Sequence, residues 1–417
     1  MTFFIFLTIF LSSYVFFKEP FEFYFQYIII IILLPFLMIR HGFPKVPFQI
    51  LFFPLIFGLI QIYMGNNELF LFFKIFGATF FLVSFYYYVL HAFNLDVDYL
   101  FSLYMKGAYF VTIIGLIQTI SFYANFGLGY DYSWFFNKWM AVVDKEGTFR
   151  MNSIFPEASQ YAIVLAPAGF VAIHNLLLRK EIYINKYQSL AIIIGMILTT
   201  SSLAFNAIFI SIALLTLNYG KFINFLIAMI ALVFLVNLAY IYSYDFRSRV
   251  DSAYGLWIDN ELSIDNVNNS SFVLYNNYHV ALENIRAGTL NFFFGTGLGS
   301  HPLAFDKYSI TNASDIIDFN NNRLDGNSMF VRLLSETGIT GVFFMLYFLF
   351  KFYTKRNFAY MESNYWIISN GLFILIFLYF LRQGNYFING FPFFMWMYYY
   401  TYKKNIEKKV DLEIQSS

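Results

Sequence analysis

Apolar runs of bilayer-spanning length follow one another along most of this chain of 417 residues. A helix needs about 20 apolar residues to cross the hydrocarbon core, and backbone groups inside lipid must find their hydrogen bonds within the segment. That rule predicts an all-α, polytopic membrane bundle of about twelve transmembrane helices, forming one domain over residues 1–417. The candidate spans are Phe3–Phe17, Phe21–Ile39, Phe48–Met64, Leu69–Leu90, Gly107–Phe126, Tyr161–Leu178, Tyr187–Thr200, Leu203–Leu217, Phe222–Tyr242, Ser328–Phe350, Tyr365–Leu381 and Tyr386–Tyr402.

Two of these candidates, Tyr187–Thr200 and Leu203–Leu217, are short and meet at four consecutive Ser and Thr residues. They form either two helices or one long broken helix, and the span count depends on that choice. The first candidate has no basic segment before it and no small-residue cleavage site after it. It therefore resembles a retained first span more than a signal peptide.

Composition excludes several classes of protein. Only 12% of the residues are charged, against roughly 25% in soluble domains, so the chain could not cover its apolar surface in water. The net charge of +1 lacks the basic excess that a nucleic-acid partner requires. Cysteine is absent, which excludes disulfides and thiolate metal sites and leaves the compartment open.

The Lys and Arg residues of the short loops indicate an orientation, because cytoplasmic loops carry the basic excess. With the N-terminus inside, the basic residues of the short loops and of the C-terminal tail fall almost entirely on one side. This pattern predicts an even number of spans with both termini cytoplasmic. The residues concerned are Arg40, His41, Lys45, Lys106, Arg179, Lys180, Lys186, Lys221, Lys351, Lys355, Arg356, Lys403, Lys404, Lys408 and Lys409.

Two polar stretches interrupt the apolar pattern, and in this orientation both face outward. The first loop covers residues 127–160 and the larger loop covers residues 244–327. Within the larger loop, residues 272–287 have apolar side chains at helical spacing, which predicts an amphipathic helix on the membrane surface or on the bundle.

Five arginines lie in these predicted outer loops, although the charge bias favours few basic residues outside. A guanidinium binds phosphate through paired hydrogen bonds, so arginines around one cavity could hold a diphosphate or another anionic head group. Alternatively, long loops are largely exempt from the charge bias and use arginine as solvated surface. The five are Arg150, Arg247, Arg249, Arg286 and Arg323.

Glu157 follows Phe155-Pro156 and opens the sixth predicted span, seven residues after Arg150. The helix dipole favours an acid in a first turn, and this alone could explain it. The functional interpretation is a carboxylate at the membrane face that takes a proton from a sugar hydroxyl.

Three other features have competing interpretations. Gly295–Gly299 lacks the strand and helix of a nucleotide-binding loop, which favours a tight turn over amides that contact substrate. His279 and His301 lack the acidic cluster that would complete a metal site. Arg332 and Glu336 are four residues apart in a membrane segment, as either a functional pair or a mutual ion pair.

Three segments resemble the bacterial O-antigen and capsule polymerases of the Wzy type, within the O-antigen ligase and polymerase group. The stretch 150–159 is similar to that family's Arg…Phe-x-Glu-Pro-Ser element, with Ala158 in place of the Pro. Phe-Gly-Thr-Gly-Leu-Gly over 294–299 and Asn327-Ser…Leu-Leu-Ser-Glu-Thr-Gly…Gly341 are the other two. The hydropathy profile is similar along the whole chain.

The departures favour polymerase over ligase. Ligases of the group usually have a His-Asn pair where this chain has Gly326-Asn327, and a Ser-Arg pair where it has Ser201-Ser202. Some polymerases have an Arg followed after ten residues by Gly, a spacing that Arg286 and Gly297 share.

The resemblance implies a metal-independent glycosyltransferase with no cofactor, in the bacterial cytoplasmic (inner) membrane. It would transfer an undecaprenyl-pyrophosphate-linked oligosaccharide onto a new lipid-linked repeat unit, and work beside a flippase and a chain-length regulator. Glu157 and Arg150 would be catalytic, and Arg247, Arg249, Arg286, Arg323 and Asn327 would bind substrate. The alternatives are an O-antigen ligase and a lipid-linked oligosaccharide flippase.

Overall fold

A computed structural model describes residues 2–12, 14–17, 22–136, 138–143, 147–220, 244–259, 268–310, 322–356 and 364–416, with isolated positions between 226 and 241. Most of these residues are helical. In chain order the elements are α1 Thr2–Phe10, β1 Val15–Phe17, β2 Phe23–Tyr24, α2 Phe25–His41, α3 Lys45–Tyr63, α4 Leu69–Ala92, α5 Val97–Tyr123, α6 Gly127–Tyr130, α7 Ala158–Leu178, α8 Lys186–Leu198, α9 Ser202–Asn218, α10 Tyr244–Tyr254 with a π turn at Gly255–Asp259, α11 Asn269–Arg286, α12 Thr289–Phe294, α13 His301–Tyr308, α14 Met329–Lys351, α15 Tyr365–Arg382 and α16 Phe391–Ser416.

Within these ranges, six helices are long and apolar enough to cross a bilayer: α3, α4, α5, α7, α14 and α15. Helices α2, α8 and α9 are apolar but shorter. An all-α membrane protein is therefore confirmed, whereas twelve spans remain a prediction. Most of the candidate Phe222–Tyr242 lies outside the described residues.

The first predicted span is wrong as a continuous helix. Helix α1 ends at Phe10, and Val15–Phe17 instead pairs antiparallel with β2. Nine residues of helix extend only about 14 Å, against the roughly 30 Å of the hydrocarbon core. The chain turns at Ser12, whose buried hydroxyl accepts a hydrogen bond from the backbone N–H of Asn389.

Helices α8 and α9 are two antiparallel helices, so the alternative of one broken helix is wrong. The side chain of Ser201 caps α9 by accepting from the N–H of Leu203. Asn175 on α7 contacts Ser189 near the start of α8, while its neighbour His174 contacts Tyr219 at the end of α9. One turn of α7 therefore touches the beginning of one helix and the end of the other.

Helices α7 and α15 form the centre of the bundle. In their apolar windows 83% and 72% of the residues are buried, compared with 22% in α3. A Cβ on Gly371 of α15 would come within 3.0 Å of the Cα of Pro167 on α7, so a glycine lets these two helices approach closely. A helix buried on all sides is expected to be apolar all round, as α7 is.

The loops separate into two groups at opposite ends of the bundle. At one end, Tyr183 donates to Asp98, Tyr88 donates to the carbonyl of Gly42, and the N–H of Arg356 donates to Asn218. Most of the short loops predicted to be cytoplasmic meet here. The described parts of the two long loops, 127–160 and 244–327, lie at the other end, which we call the loop-rich end.

Helix α14 is interrupted near the loop-rich end. Gly338 has φ 63° and ψ −163°, which breaks the helical hydrogen-bond ladder. The loop Gly295–Gly299 fills the break, since the N–H of Thr296 donates to the carbonyl of Ser335 and that of Gly297 to the carbonyl of Glu336. Backbone groups freed inside a membrane helix must find such partners. The tight-turn interpretation of this glycine-rich loop agrees with its position.

Candidate functional site

A cavity of about 980 Å³ lies between α2, α4 and the loop-rich end of α14. Its lining divides into a polar part at the loop-rich end and an apolar part that continues between α2 and α4. The charged residues that line it are Glu22, Lys74, Lys138, Arg323, Asp325 and Arg332. A smaller cavity of about 250 Å³ between α1 and α5 is almost wholly apolar and brings no set of polar groups together.

Arg332 is the most buried cation of the polar part, with 4% of its side chain exposed. Its Nε donates to Glu336 Oε1 at 2.9 Å and its Nη1 donates to the carbonyl of Gly384 at 2.9 Å. The guanidinium carbon lies 4.1 Å from the ring centre of Tyr386, whose hydroxyl donates to the other oxygen of Glu336. The interactions described for Arg332 leave Nη2 available to a ligand.

Arg323 lines the same part of the cavity and is held by Asp306. Its Nε and Nη2 form a bidentate pair with the two carboxylate oxygens. Hydrogen bonding to Asp306 raises the pKa of Arg323. Planar two-point pairing fixes the orientation of a guanidinium as well as its charge.

Lys138 and Glu22 both line the cavity and join the 127–160 loop to the β1–β2 hairpin. Lys138 Nζ pairs with one oxygen of Glu22, and the hydroxyl of Tyr24 donates to the other. Burial, and after it the charge of Glu22, raise the pKa of the Tyr24 hydroxyl well above its usual value. The phenol therefore stays neutral and remains a donor.

Lys74 is a cation within α4, one of the apolar spanning helices. Glu22 and Arg332 lie within electrostatic range of it. A charged side chain in a membrane segment is costly, and such residues usually face a polar cavity and serve a function. Here the lysine faces the polar part of the cavity.

The apolar part is formed by one face of α2 and one face of α4. Both sets of side chains recur at intervals of three and four residues, which places each set on a single helix face. From Tyr27 to Met38 the face extends about 17 Å along α2. Ile31 and Phe81 are 62% and 51% exposed, so this part opens sideways, away from the bundle. The lining residues are Tyr27, Ile30, Ile31, Leu34, Pro35 and Met38 from α2, and Leu71, Ile75, Ala78, Phe81 and Leu82 from α4.

The charges of the polar part come from residues that line the cavity and from carboxylates that lie behind it. Four cations and two carboxylates line the cavity, an excess of two positive charges among the described residues. Two further carboxylates, Asp306 and Glu336, pair with Arg323 and Arg332 without lining the cavity themselves. The arginines are therefore oriented from behind while their charge faces the cavity.

His301 lies behind the polar part and is fully buried. Its Nε2 is 3.0 Å from Asn277 Oδ1, and a Cβ on Gly326 would lie 3.1 Å from the same nitrogen. Burial, and after it the charges of Arg332 and Arg323, lower the pKa of His301 to about 3. The ring is therefore neutral at pH 7 and adds no charge. No group of three or more His, Asp or Glu among the described residues is placed to hold a metal ion.

Among the residues predicted from sequence, Arg323 lines the cavity, and Asn327 donates its backbone N–H to Asp325 beside it. Arg150, Glu157, Arg247 and Arg286 do not line it, and the side chain of Arg249 is outside the described part of the chain. Glu157 is exposed at the start of α7 and accepts from Ser159. Arg247 donates to backbone carbonyls of residues 240–241, and Arg286 pairs with Glu283 at 2.7 Å.

Sequence reasoning missed Lys74, Glu22 and Asp325 as site residues. A usable signal existed for Lys74, because it is the one charge in the apolar run Leu69–Leu90. Lys138 could not be singled out among the loop charges, because nothing in the sequence indicates that it reaches Glu22.

Comparisons with protein-family models, with curated proteins and with solved structures gave no significant match to this chain. The chemistry of the site follows from its geometry. A cationic pocket joined to a long apolar groove suits a ligand with an anionic head and a long hydrocarbon chain.

Proposed function

We propose that this protein is a metal-independent glycosyltransferase that polymerises lipid-linked oligosaccharide repeat units. The growing glycan, carried on undecaprenyl diphosphate, is transferred to a new lipid-linked repeat unit at the outer face of the bacterial cytoplasmic membrane. The product is an O-antigen or capsule polysaccharide. The observation that carries the proposal is the two-part cavity, with four cations at one end and the α2–α4 groove at the other.

The cavity matches the two halves of such a substrate. A diphosphate bonded to a sugar and to a polyprenyl chain carries two negative charges, and four cations line the polar part of the cavity. The polyprenyl chain is apolar, as the groove is, and the sideways opening would let it enter from the lipid. A nucleotide sugar has no such chain, and the groove would then have no use.

The same cations support catalysis of glycosyl transfer. When the anomeric bond breaks, negative charge develops on the lipid diphosphate that leaves. Donors fixed beforehand around that position stabilise the developing charge, which is commonly the largest single contribution to catalysis. Arg332 and Arg323 are held in place by their carboxylate partners, so they need not reorganise during the reaction.

The sequence supports polymerase over its two alternatives. The resemblance of 150–159, 294–299 and 327–341 is to the Wzy-type polymerases, and Gly326 occupies the position of the ligase histidine. A flippase would have to carry the head group across the bilayer, whereas the charged lining is confined to the loop-rich end.

Deletion of the gene in the native strain tests the proposal. In an O-antigen producer, a gel of surface polysaccharide should then show single repeat units on the lipid A core. Loss of a ligase would leave unattached polymer, and loss of a flippase would leave neither form. Either pattern would reject the proposal.

A reconstituted reaction tests it directly. The lipid-linked repeat units that accumulate in the deletion strain are supplied to the purified protein in nanodiscs, with EDTA present. A ladder of polymer lengths on the lipid carrier is expected. Absence of a ladder from well-folded protein, or a ladder that requires a divalent ion, would contradict a metal-independent polymerase.

A further inference from the structure

We infer that Asp325 is the residue that takes the proton from the acceptor sugar hydroxyl. This inference rests on the proposed function and assigns the proton acceptor within the same cavity. It replaces Glu157 in that role, because Glu157 is exposed at the start of α7 and does not line the cavity.

The other described carboxylates around the polar part are already engaged. Glu22 receives Lys138 on one oxygen and the Tyr24 hydroxyl on the other. Glu336 is fully buried and receives Arg332 on one oxygen and the Tyr386 hydroxyl on the other.

Asp306 likewise uses both carboxylate oxygens to hold Arg323. A carboxylate whose oxygens both accept from cations or hydroxyls is poorly placed to accept a further proton. Asp325 is therefore the best-placed described carboxylate of the polar part.

Asp325 is half-buried, lines the cavity and presents one oxygen without a described partner. Its Oδ1 accepts from the side-chain amide of Asn322 at 2.8 Å and from the backbone N–H of Asn327 at 3.1 Å. Both bonds fall on Oδ1, so Oδ2 is left available among the described contacts. A proton acceptor needs both a fixed orientation and a free lone pair, and Asp325 has both.

The backbone around Asp325 is tightly held. The N–H of Gly326 donates to the carbonyl of Asn322 at 2.7 Å, and Gly326 and Asn327 both have positive φ. A Cβ on Gly384 would come within 1.6 Å of the carbonyl oxygen of Asp325, so only glycine lets the two loops meet. The carboxylate is therefore fixed by the same loop contact that brings Gly384 to Arg332.

Arg332 lies within electrostatic range of Asp325, which puts the proton acceptor beside the cation that would hold the leaving diphosphate. In the step, the O–H bond of the acceptor sugar breaks and its proton goes to Oδ2. The oxygen bonds to the anomeric carbon of the donor as the bond from that carbon to the diphosphate breaks. The electron pair leaves with the lipid diphosphate, which gains the negative charge that the carboxylate loses.

Asp325→Asn is the decisive variant, because an asparagine oxygen can still accept both hydrogen bonds that position Asp325. In the nanodisc reaction we expect kcat to fall at least about 100-fold, the usual minimum for loss of a general base. KM and the affinity for undecaprenyl diphosphate should change less than about twofold. Asp325→Glu should recover part of kcat.

Asp131→Asn is the matched control, since Asp131 also accepts a backbone N–H two residues on, from Ser133, but lies outside the cavity. It should retain wild-type kcat. Glu157→Gln is assayed in parallel and should also keep most activity. Gel filtration and thermal denaturation of each variant exclude misfolding as the cause of a loss.

The outcomes separate the inference from the proposed function. If the wild-type protein makes no polymer, the proposed function fails. If the wild type polymerises and Asp325→Asn keeps kcat, or loses affinity in parallel with kcat, only the assignment of Asp325 is overturned. Loss of kcat in Glu157→Gln with Asp325→Asn unchanged would restore Glu157 as the proton acceptor.

Discussion

The buried pair Arg332–Glu336 gives the sharpest separation of stability from function. Both side chains are almost wholly buried, at 4% and 0% exposure, and they are joined at 2.9 Å. Removing one member leaves an unpaired buried charge, which typically costs about 3–5 kcal/mol. Glu336→Gln is therefore expected to reduce the free energy of unfolding by about that amount, while also weakening the acceptor of the Tyr386 hydroxyl.

Replacing both members with methionine should recover part of the lost stability without restoring activity. Exchanging a buried ion pair for apolar residues of similar volume is often neutral or stabilising. We expect the double variant Arg332→Met with Glu336→Met to be more stable than either single variant, since neither charge is left alone, while the Gly384 carbonyl and the Tyr386 hydroxyl lose their partners. Because Arg332 is also a proposed diphosphate ligand, this double variant should still lack polymerase activity.

Two assays on the same nanodisc samples decide the matter. Thermal unfolding ranks the stability of wild type, the single variants Glu336→Gln and Arg332→Met, and the double variant, and the polymer ladder reports activity. A stable double variant that polymerises normally would show that the pair only holds helices together, and would remove Arg332 from the site. A double variant as unstable as the single variants would refute the reasoning about unpaired charge.

Three further predictions concern single positions. Lys74→Gln should weaken the binding of undecaprenyl diphosphate about 10- to 100-fold, as expected for loss of a charge-assisted hydrogen bond of roughly 1.5–3 kcal/mol. Lys106→Gln, in another spanning helix, is the control and should leave the affinity unchanged. Equal affinities of the two variants would remove Lys74 from the site. Gly338→Ala should reduce the free energy of unfolding by more than about 2 kcal/mol, because φ is 63° and the new Cβ would lie 2.6 Å from residues 293 and 295. Gly77→Ala is the control, since a Cβ there would have nothing within 4 Å. Equal losses of stability in the two variants, measured by thermal unfolding, would contradict the packing described. His301 has a pKa of about 3 in the fold against about 6.5 in the unfolded chain. Because the unfolded chain binds the extra proton, the stability of the fold falls as pH drops from about 6.5 to 3. His301→Gln should reduce the slope of that fall by up to about 1.4 kcal/mol per pH unit, as measured by thermal unfolding across this range.

Hydropathy alone was enough to predict a helical membrane protein, because an apolar run of about 20 residues matches the thickness of the hydrocarbon core. It failed at Phe3–Phe17, where the run is apolar throughout but the helix ends at Phe10. The deciding contact is between Ser12 and Asn389, residues 377 positions apart. No local pattern contains such a contact.

The residues of the candidate site could be predicted from the sequence only in part, for the same reason. Arg323 was identified because arginine suits phosphate, and it lines the cavity. The same reasoning also selected Arg286, whose partner is the neighbouring Glu283. Residue type indicates what a side chain can bind, whereas the fold decides which side chains meet. Lys74 and Asp325 are 251 positions apart, and only the fold brings them to one cavity.

Photo-crosslinking of the lipid substrate tests the central claim most directly. An undecaprenyl diphosphate analogue with a diazirine on its polyprenyl chain is irradiated with the protein in nanodiscs, and the labelled peptides are identified by mass spectrometry. The two-part cavity predicts labels on α2 and α4 between Tyr27 and Met38 and between Leu71 and Leu82, competed by unlabelled undecaprenyl diphosphate. Competed labelling confined to the smaller cavity between α1 and α5, or no competed labelling at all, would contradict it.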